Sequence, residues 1–132
     1  MNKDKLSVDY SQNINSIDEI LRVDESFDII KKQLNIANNK LTFYYIDGFI
    51  NGASMQKLMM HILTVKDFGD GSADAAQKFT DSNMPTVEAE VSDSVDTLIL
   101  MTMSGCSILL CDGFGPNAII IDLRTYPARE AS

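Results

Sequence analysis

Three aspartates, Asp47, Asp112 and Asp122, fall where apolar runs end, and a carboxylate at a strand end serves as general acid or base if a cleft shifts its pKa. Asp47 and Asp112 each precede a glycine, which is equally the signature of a turn. Arg124 and Arg129 are two of only three arginines in an acidic chain, and both lie near its C-terminal end. A guanidinium there is suited to dock a carboxylate of a neighbouring domain or subunit, because its planar fork matches a carboxylate with two parallel hydrogen bonds. These five residues are the candidate interface or ligand contacts.

Other patterns spell chemistry but lack its context. Gly113-Phe114-Gly115-Pro116-Asn117-Ala118 fits the Gly-x-Gly-x-x-Gly/Ala phosphate fingerprint. The following Ala118 to Asp122 reads as a strand, however, and without a helix N-terminus the anion has neither dipole nor aligned donors. Asp67-Phe68-Gly69 spells the kinase magnesium motif in a chain with no glycine-rich or catalytic loop. Asp70, Ser72 and Asp74 alternate as in a calcium loop, yet Ala75 stands where the sharp turn needs glycine and Asp81 where a bidentate Glu is usual. The single histidine, His61, has no partners at metal-binding spacing and reads as a solvated surface residue. No cofactor or metal is expected.

Cys106 and Cys111 sit an odd number of positions apart on one predicted strand, so they point to opposite faces, about 16 Å apart along it. They cannot bridge each other, and buried reduced thiols suit a reducing compartment. The net charge of −8 opposes binding to nucleic acid or anionic lipid. No apolar run approaches the roughly 20 residues that span a bilayer, so the sequence reads as a soluble domain. Its 45 % apolar and 23 % charged residues suit a globular one.

The elements that must position these residues follow from pattern. Residues 1–13 read as a flexible tail, 14–125 as one small α/β domain and 126–132 as an exit segment. Ser16 and Glu19 form a capping box that starts a helix with Ile17, Ile20 and Leu21 on its apolar face. Phe27 to Ile36 and Leu41 to Ile46 read as strands around the turn cluster 37–40. Met55, Leu58, Met59, Ile62 and Leu63 line one face of a helix, with Lys57, His61 and Thr64 opposite. Ser72 or Asp74 caps a brief helix to about Phe79, and Val87 to Val91 reads as a short edge strand. Asp93 or Ser94 caps a largely buried helix stopped by Gly105. Two branched apolar runs, Ile108–Cys111 and Ala118–Asp122, enclose turn formers and read as the central hairpin. The result is a mixed β-sheet of four to five strands with helices packed on it.

The run from Asp112-Gly113 through Ala118-Ile119-Ile120-Ile121-Asp122-Leu123-Arg124-Thr125-Tyr126-Pro127-Ala128-Arg129 resembles a segment of the A subunits of spore germination receptors, the GerA family. Asp28 to Ile36 followed by Phe43 to Ile50, with its Tyr45-Ile46-Asp47-Gly48, is similar to that family's first hairpin. Thr125 stands where the family usually has glycine, and residues 64–92 match weakly. The resemblance implies the first soluble subdomain of a longer, membrane-embedded receptor subunit. Its place is the inner spore membrane, with this domain on the cytoplasmic or spore-core side. Its implied partners are the other receptor subunits, a second soluble subdomain of the same chain, a small ligand and further copies in a homo-oligomer. Its implied role is non-enzymatic, in assembly or signal transmission during germination and in sensing of a small ligand. The rival reading is a small hydrolase or nucleotide-binding enzyme using Asp47, Asp112 or Asp122.

Overall fold

The computed structural model describes residues 5–26, 28–84 and 87–125. Helix α1 spans Tyr10–Leu21 and starts six residues before the expected capping box, because Asp9 is its cap and accepts from the Gln12 N–H at 3.2 Å. Ser7 and Asn13 exchange backbone-to-amide hydrogen bonds at 2.8 Å that fix the entry to the helix. The described part of the expected tail is therefore structured. Lys5 forms a β-bridge with Ser94, and Leu6 is buried in the same core as Ile14, Ile17 and Leu21. That apolar stripe at helical spacing extends one turn upstream of the box.

Strands β1 (Ile29–Ile36) and β2 (Asn39–Ile46) form the expected hairpin. Its turn residues, Ala37 and Asn38, both have left-handed backbones, the geometry whose twist matches that of antiparallel strands. Helix α2 (Gly52–Ile62) is capped by Asn51, helix α3 (Ala75–Asn83) follows a loop at 67–74 rich in aspartate and glycine, and β3 (Glu88–Ser92) is an edge strand. Helix α4 (Val95–Met103) is capped by Ser94, whose hydroxyl accepts from the Thr97 N–H at 3.1 Å. Strands β4 (Ser107–Cys111) and β5 (Ala118–Asp122) complete a sheet of order β1-β2-β4-β5-β3.

The chain forms a single α/β domain in which helices pack on a five-stranded sheet. The strands joined through α4, β3 and β4, run in the same direction, as helix-linked strands of a mixed sheet do. Here β5 lies between them and pairs antiparallel with both, so all four ladders are antiparallel. The crossover helix therefore spans one strand position instead of joining neighbours.

Two cores result, one on each face. Leu41, Phe43, Leu109, Ile119 and Ile121 meet Met55, Leu58 and Ile62 of α2 and Phe79 of α3. On the other face Tyr44, Ile108, Leu110 and Ile120 meet Ile14 and Ile17 of α1 and Val95 and Leu98 of α4. Because helices cover both faces, β4 is buried at every position, which is why its sequence is apolar without alternation. The helices are outer layers, so each also has a solvent face. Leu63 is 60 % exposed, and α4, expected to be largely buried, exposes Leu100 and Met103.

Candidate functional site

The candidate residues divide between two ends of the sheet. Neighbouring β2 and β4 run in opposite directions, so Asp47 after β2 and Asp112 after β4 lie at opposite ends, although both precede Gly-Phe. Asp122 ends β5, which runs the same way as β2, and so shares the Asp47 end. That end is stitched by backbone: Asn51 N–H donates to the Leu123 carbonyl at 2.7 Å, Thr125 N–H to the Phe49 carbonyl at 2.9 Å, and Ile50 bridges Arg124. Asp112 instead sits beside the β1–β2 turn, where it accepts from the Asn39 amide at 2.6 Å. In this register Asp112 lies six to seven residues along the strands from Asp122 and Asp47, about 20–24 Å away. Arg129 and the expected exit segment, 126–132, lie outside the described residues.

Arg124 makes the fork its side chain is built for, but to its own strand. Nε donates to Asp122 Oδ1 at 2.9 Å and Nη2 to Oδ2 at 2.8 Å, while Nη1 reaches the Ser104 carbonyl at 3.2 Å. The Asp122 carboxylate also accepts from the Arg124 backbone N–H at 3.2 Å. Both carboxylate oxygens are thus engaged by the guanidinium. Gly105 is what admits the clasp. It has φ +105, and a Cβ there would lie 2.6 Å from the Phe49 ring and 3.0 Å from the Arg124 stem. Three segments, the entry to α2, the exit of α4 and the exit of β5, thus meet over one glycine, and Phe49 remains half-exposed above them.

A polar cluster escapes the sequence reading. Tyr44 is fully buried on β2, and its hydroxyl donates to Asp18 Oδ1 of α1 at 2.7 Å, while Lys31 Nζ of β1 reaches Oδ2 at 2.7 Å. Burial, reinforced by the Asp18 carboxylate, holds the Tyr44 phenol far above its ordinary pKa. Tyr10 of α1 shares a hydrogen bond with the buried Thr42 hydroxyl, and burial raises its pKa too. The available signal was Thr42 and Tyr44, two hydroxyls at alternate positions of β2 and therefore on one face of it. The cluster fastens α1 to the sheet.

The remaining motifs resolve into packing. Burial pushes the Cys111 thiol up to about 12 and raises that of Cys106, so both favour the protonated form at neutral pH. They face opposite cores, as the spacing requires. The Gly113–Ala118 turn packs on the 69–73 loop, with Gly71 N–H donating to the Gly113 carbonyl and the Asn117 amide to the Ala73 carbonyl, each at 2.9 Å. Hydrogen bonds centred on Ser72 lower the pKa of Asp70 and of Asp74, which ties this acidic loop to itself. Among the described residues no group of three His, Cys, Asp or Glu side chains is placed to hold a metal ion. His61 Nε2 is hydrogen-bonded to Asn83 Oδ1 at 3.1 Å, across an open groove of about 670 Å³ between α2 and α3 floored by Leu58 and Met84. Among the described residues no helix is long and apolar enough to cross a membrane.

Comparison with known proteins gives this architecture relatives. Residues 15–132 match the family described as Bacillus/Clostridium GerA spore germination protein. The chain is 24 % identical over 105 residues to stage V sporulation protein AF of Bacillus subtilis strain 168, covering 80 % of this chain and 21 % of that protein. It also shares its fold with the crystal structure of the N-terminal domain of the A subunit of the Bacillus megaterium spore germinant receptor GerK3. That likeness has a TM-score of 0.69 and 20 % identity, and covers 96 % of this chain and 50 % of the other. The chain therefore spans about a fifth of the curated relative and half of the solved domain. With a match that runs from α1 to the last residue, the chain belongs to the GerA spore germination protein family.

Proposed function

We propose that this chain is one lobe of the N-terminal soluble region of an A-type germinant-receptor subunit. The observation that carries the reading is the family match over residues 15–132. The shared fold, extending over half of a receptor N-terminal domain, supports it. The lobe acts without catalysis. It packs against the second soluble lobe of its own subunit and against neighbouring subunits, including further copies, and it passes a nutrient-triggered change to the membrane-embedded part. The parent resides in the inner spore membrane with this lobe on the cytoplasmic, spore-core side, and any small ligand binds where the two lobes meet. The Asp47–Asp122 end supports a mechanical role, because the Asp122–Arg124 clasp fixes the direction in which the chain leaves β5. The hydrolase reading finds no support there: Asp122 is clasped, and Asp112 is at the far end of the sheet.

The test is a deletion of residues 5–125 from the parent gene in its own spore-former. Loss of the receptor complex from spore membranes, together with loss of the nutrient response, is expected. A complex that assembles and responds normally without the lobe overturns the assignment. Single Asp47→Asn, Asp112→Asn and Asp122→Asn variants address the enzyme. Asp47→Asn and Asp112→Asn should keep the nutrient response, and its abolition by either in an intact complex would favour catalysis, whereas Asp122→Asn also weakens the clasp and reports on assembly.

A further inference from the structure

Strand β3 ends the sheet, paired with β5 on one side only, and no strand or bridge among the described residues pairs with its outer edge. An open edge carries a row of backbone donors and acceptors that template another strand, and proteins normally cover or blunt it. On the α1/α4 face the cover stops short. Helix α4 packs chiefly on β2, β4 and β5. Beside β3 this leaves a groove of about 470 Å³, floored by Cys106 and Ile120, walled by Met101 and closed at one end by the Asp122–Arg124 clasp.

The register decides which side chains overlook this groove. Glu88 pairs with Asp122 and Glu90 with Ile120, so both glutamates project to the groove face, whereas Ala89 and Val91 project to the α2/α3 core. Both glutamates are exposed. Their sign selects the occupant. A second copy pairing through the same edge would bring acidic side chains together across the new ladder, and opposed like charges destabilise a strand pair. An incoming strand with basic residues at alternate positions would instead form favourable cross-strand pairs with both, and its intervening apolar residues would continue the Ala89–Val91 face.

We propose that the outer edge of β3 docks an extended basic segment of a partner polypeptide by strand addition, Lys or Arg at positions i and i+2 meeting Glu88 and Glu90 above the Cys106–Ile120 groove. The edge and its charge belong to this chain whatever receptor carries it, so the proposal stands apart from the preceding one.

The probe is a synthetic peptide of alternating lysine and valine, titrated into the full 132-residue chain and followed by amide NMR shifts and hydrogen exchange. Two controls accompany it, one with the same composition but contiguous lysines and one with alternating glutamate and valine. The alternating basic peptide should shift the amides of residues 88–92 and slow their exchange. It should bind at least tenfold more tightly than either control. A Glu88→Lys/Glu90→Lys variant should weaken it at least tenfold and prefer the acidic peptide. If that variant fails to fold, the gentler Glu88→Gln/Glu90→Gln pair should still weaken binding several-fold. Equal binding of the contiguous-lysine peptide, shifts that map to β1 or α3, or affinity unmoved by the substitutions would overturn the proposal.

Discussion

Gly69 and Gly113 face each other so closely that a Cβ on the first would lie 2.5 Å from the carbonyl oxygen of the second, and a Cβ on the second 2.8 Å from that of the first. Both obstacles are backbone and neither can swing away. Gly113 has no left-handed backbone, so its replacement isolates the steric effect. Gly113→Ala should force the two loops apart, lose the bond from the Gly71 N–H and loosen Phe114 from Phe79. Urea unfolding should report about 2–3 kcal/mol lost. Gly48→Ala is the control. With φ +97 and nothing within 4 Å of its Cβ, it should cost only backbone strain, about 1–2 kcal/mol.

The Tyr44–Asp18–Lys31 cluster predicts a hierarchy. Tyr44→Phe removes a fully buried donor to a charged acceptor and should cost about 1.5–2 kcal/mol. Lys31 and Asp18 are only partly buried, so Lys31→Ala should cost less, about 0.5–1 kcal/mol after solvent screening. In Tyr44→Phe, hydrogen exchange should accelerate first in α1, because that helix loses its polar fastening while the sheet keeps its ladders.

Alkaline pH should expose the buried thiol. In the folded protein Cys111 is raised from an ordinary 9.0 to about 12, so the native state holds the proton more tightly than the unfolded chain. The resulting stabilisation is fully present below pH 9 and is lost as pH rises toward 12. By pH 10 about 1.4 kcal/mol should be gone relative to pH 7. The raised phenols of Tyr10 and Tyr44 steepen the fall above pH 10. Urea midpoints measured from pH 7 to 10 should decline less in Cys111→Ala than in the parent, and an equal decline would assign the loss elsewhere.

How far these features were legible depends on the range of the interaction that fixes them. The β4 and β5 runs were readable because burial on both faces leaves an unbroken apolar signature, and the first hairpin because its turn is local. The start of α1 misled because Ser16 and Glu19 carry a valid box pattern while Asp9, with Leu6 and Ile14 behind it, wins the cap. The matching Asp-Gly-Phe triplets hid the fact that antiparallel neighbours place them at opposite ends. Gly113 and Gly115 mimic a phosphate loop, yet their need for glycine comes from Gly69, Gly71 and Ser72, some forty residues earlier, where no periodicity could point. Arg124 stood out by its rarity as a dock for a neighbouring domain or subunit, but the fork it makes here is to Asp122 of its own strand. Its partner two residues back was not visible, since that fork depends on how the chain leaves β5.

The first hairpin offers a prediction free of side-chain contacts. Ala37 and Asn38 are exposed and sit at φ 52 and φ 65, and a left-handed alanine costs about 1 kcal/mol that asparagine and glycine largely avoid. Replacing the pair by Asn-Gly should therefore stabilise the domain by about 1 kcal/mol and raise its melting temperature by about 3–5 °C. Ala37→Val should move it the other way by a similar or larger amount, because a branched side chain crowds most severely in that region. Nothing is buried at either position, so the two changes act on the backbone alone. Thermal melts that leave both variants at the parent temperature would mean that the turn in solution is not the left-handed pair that sets the β1–β2 register.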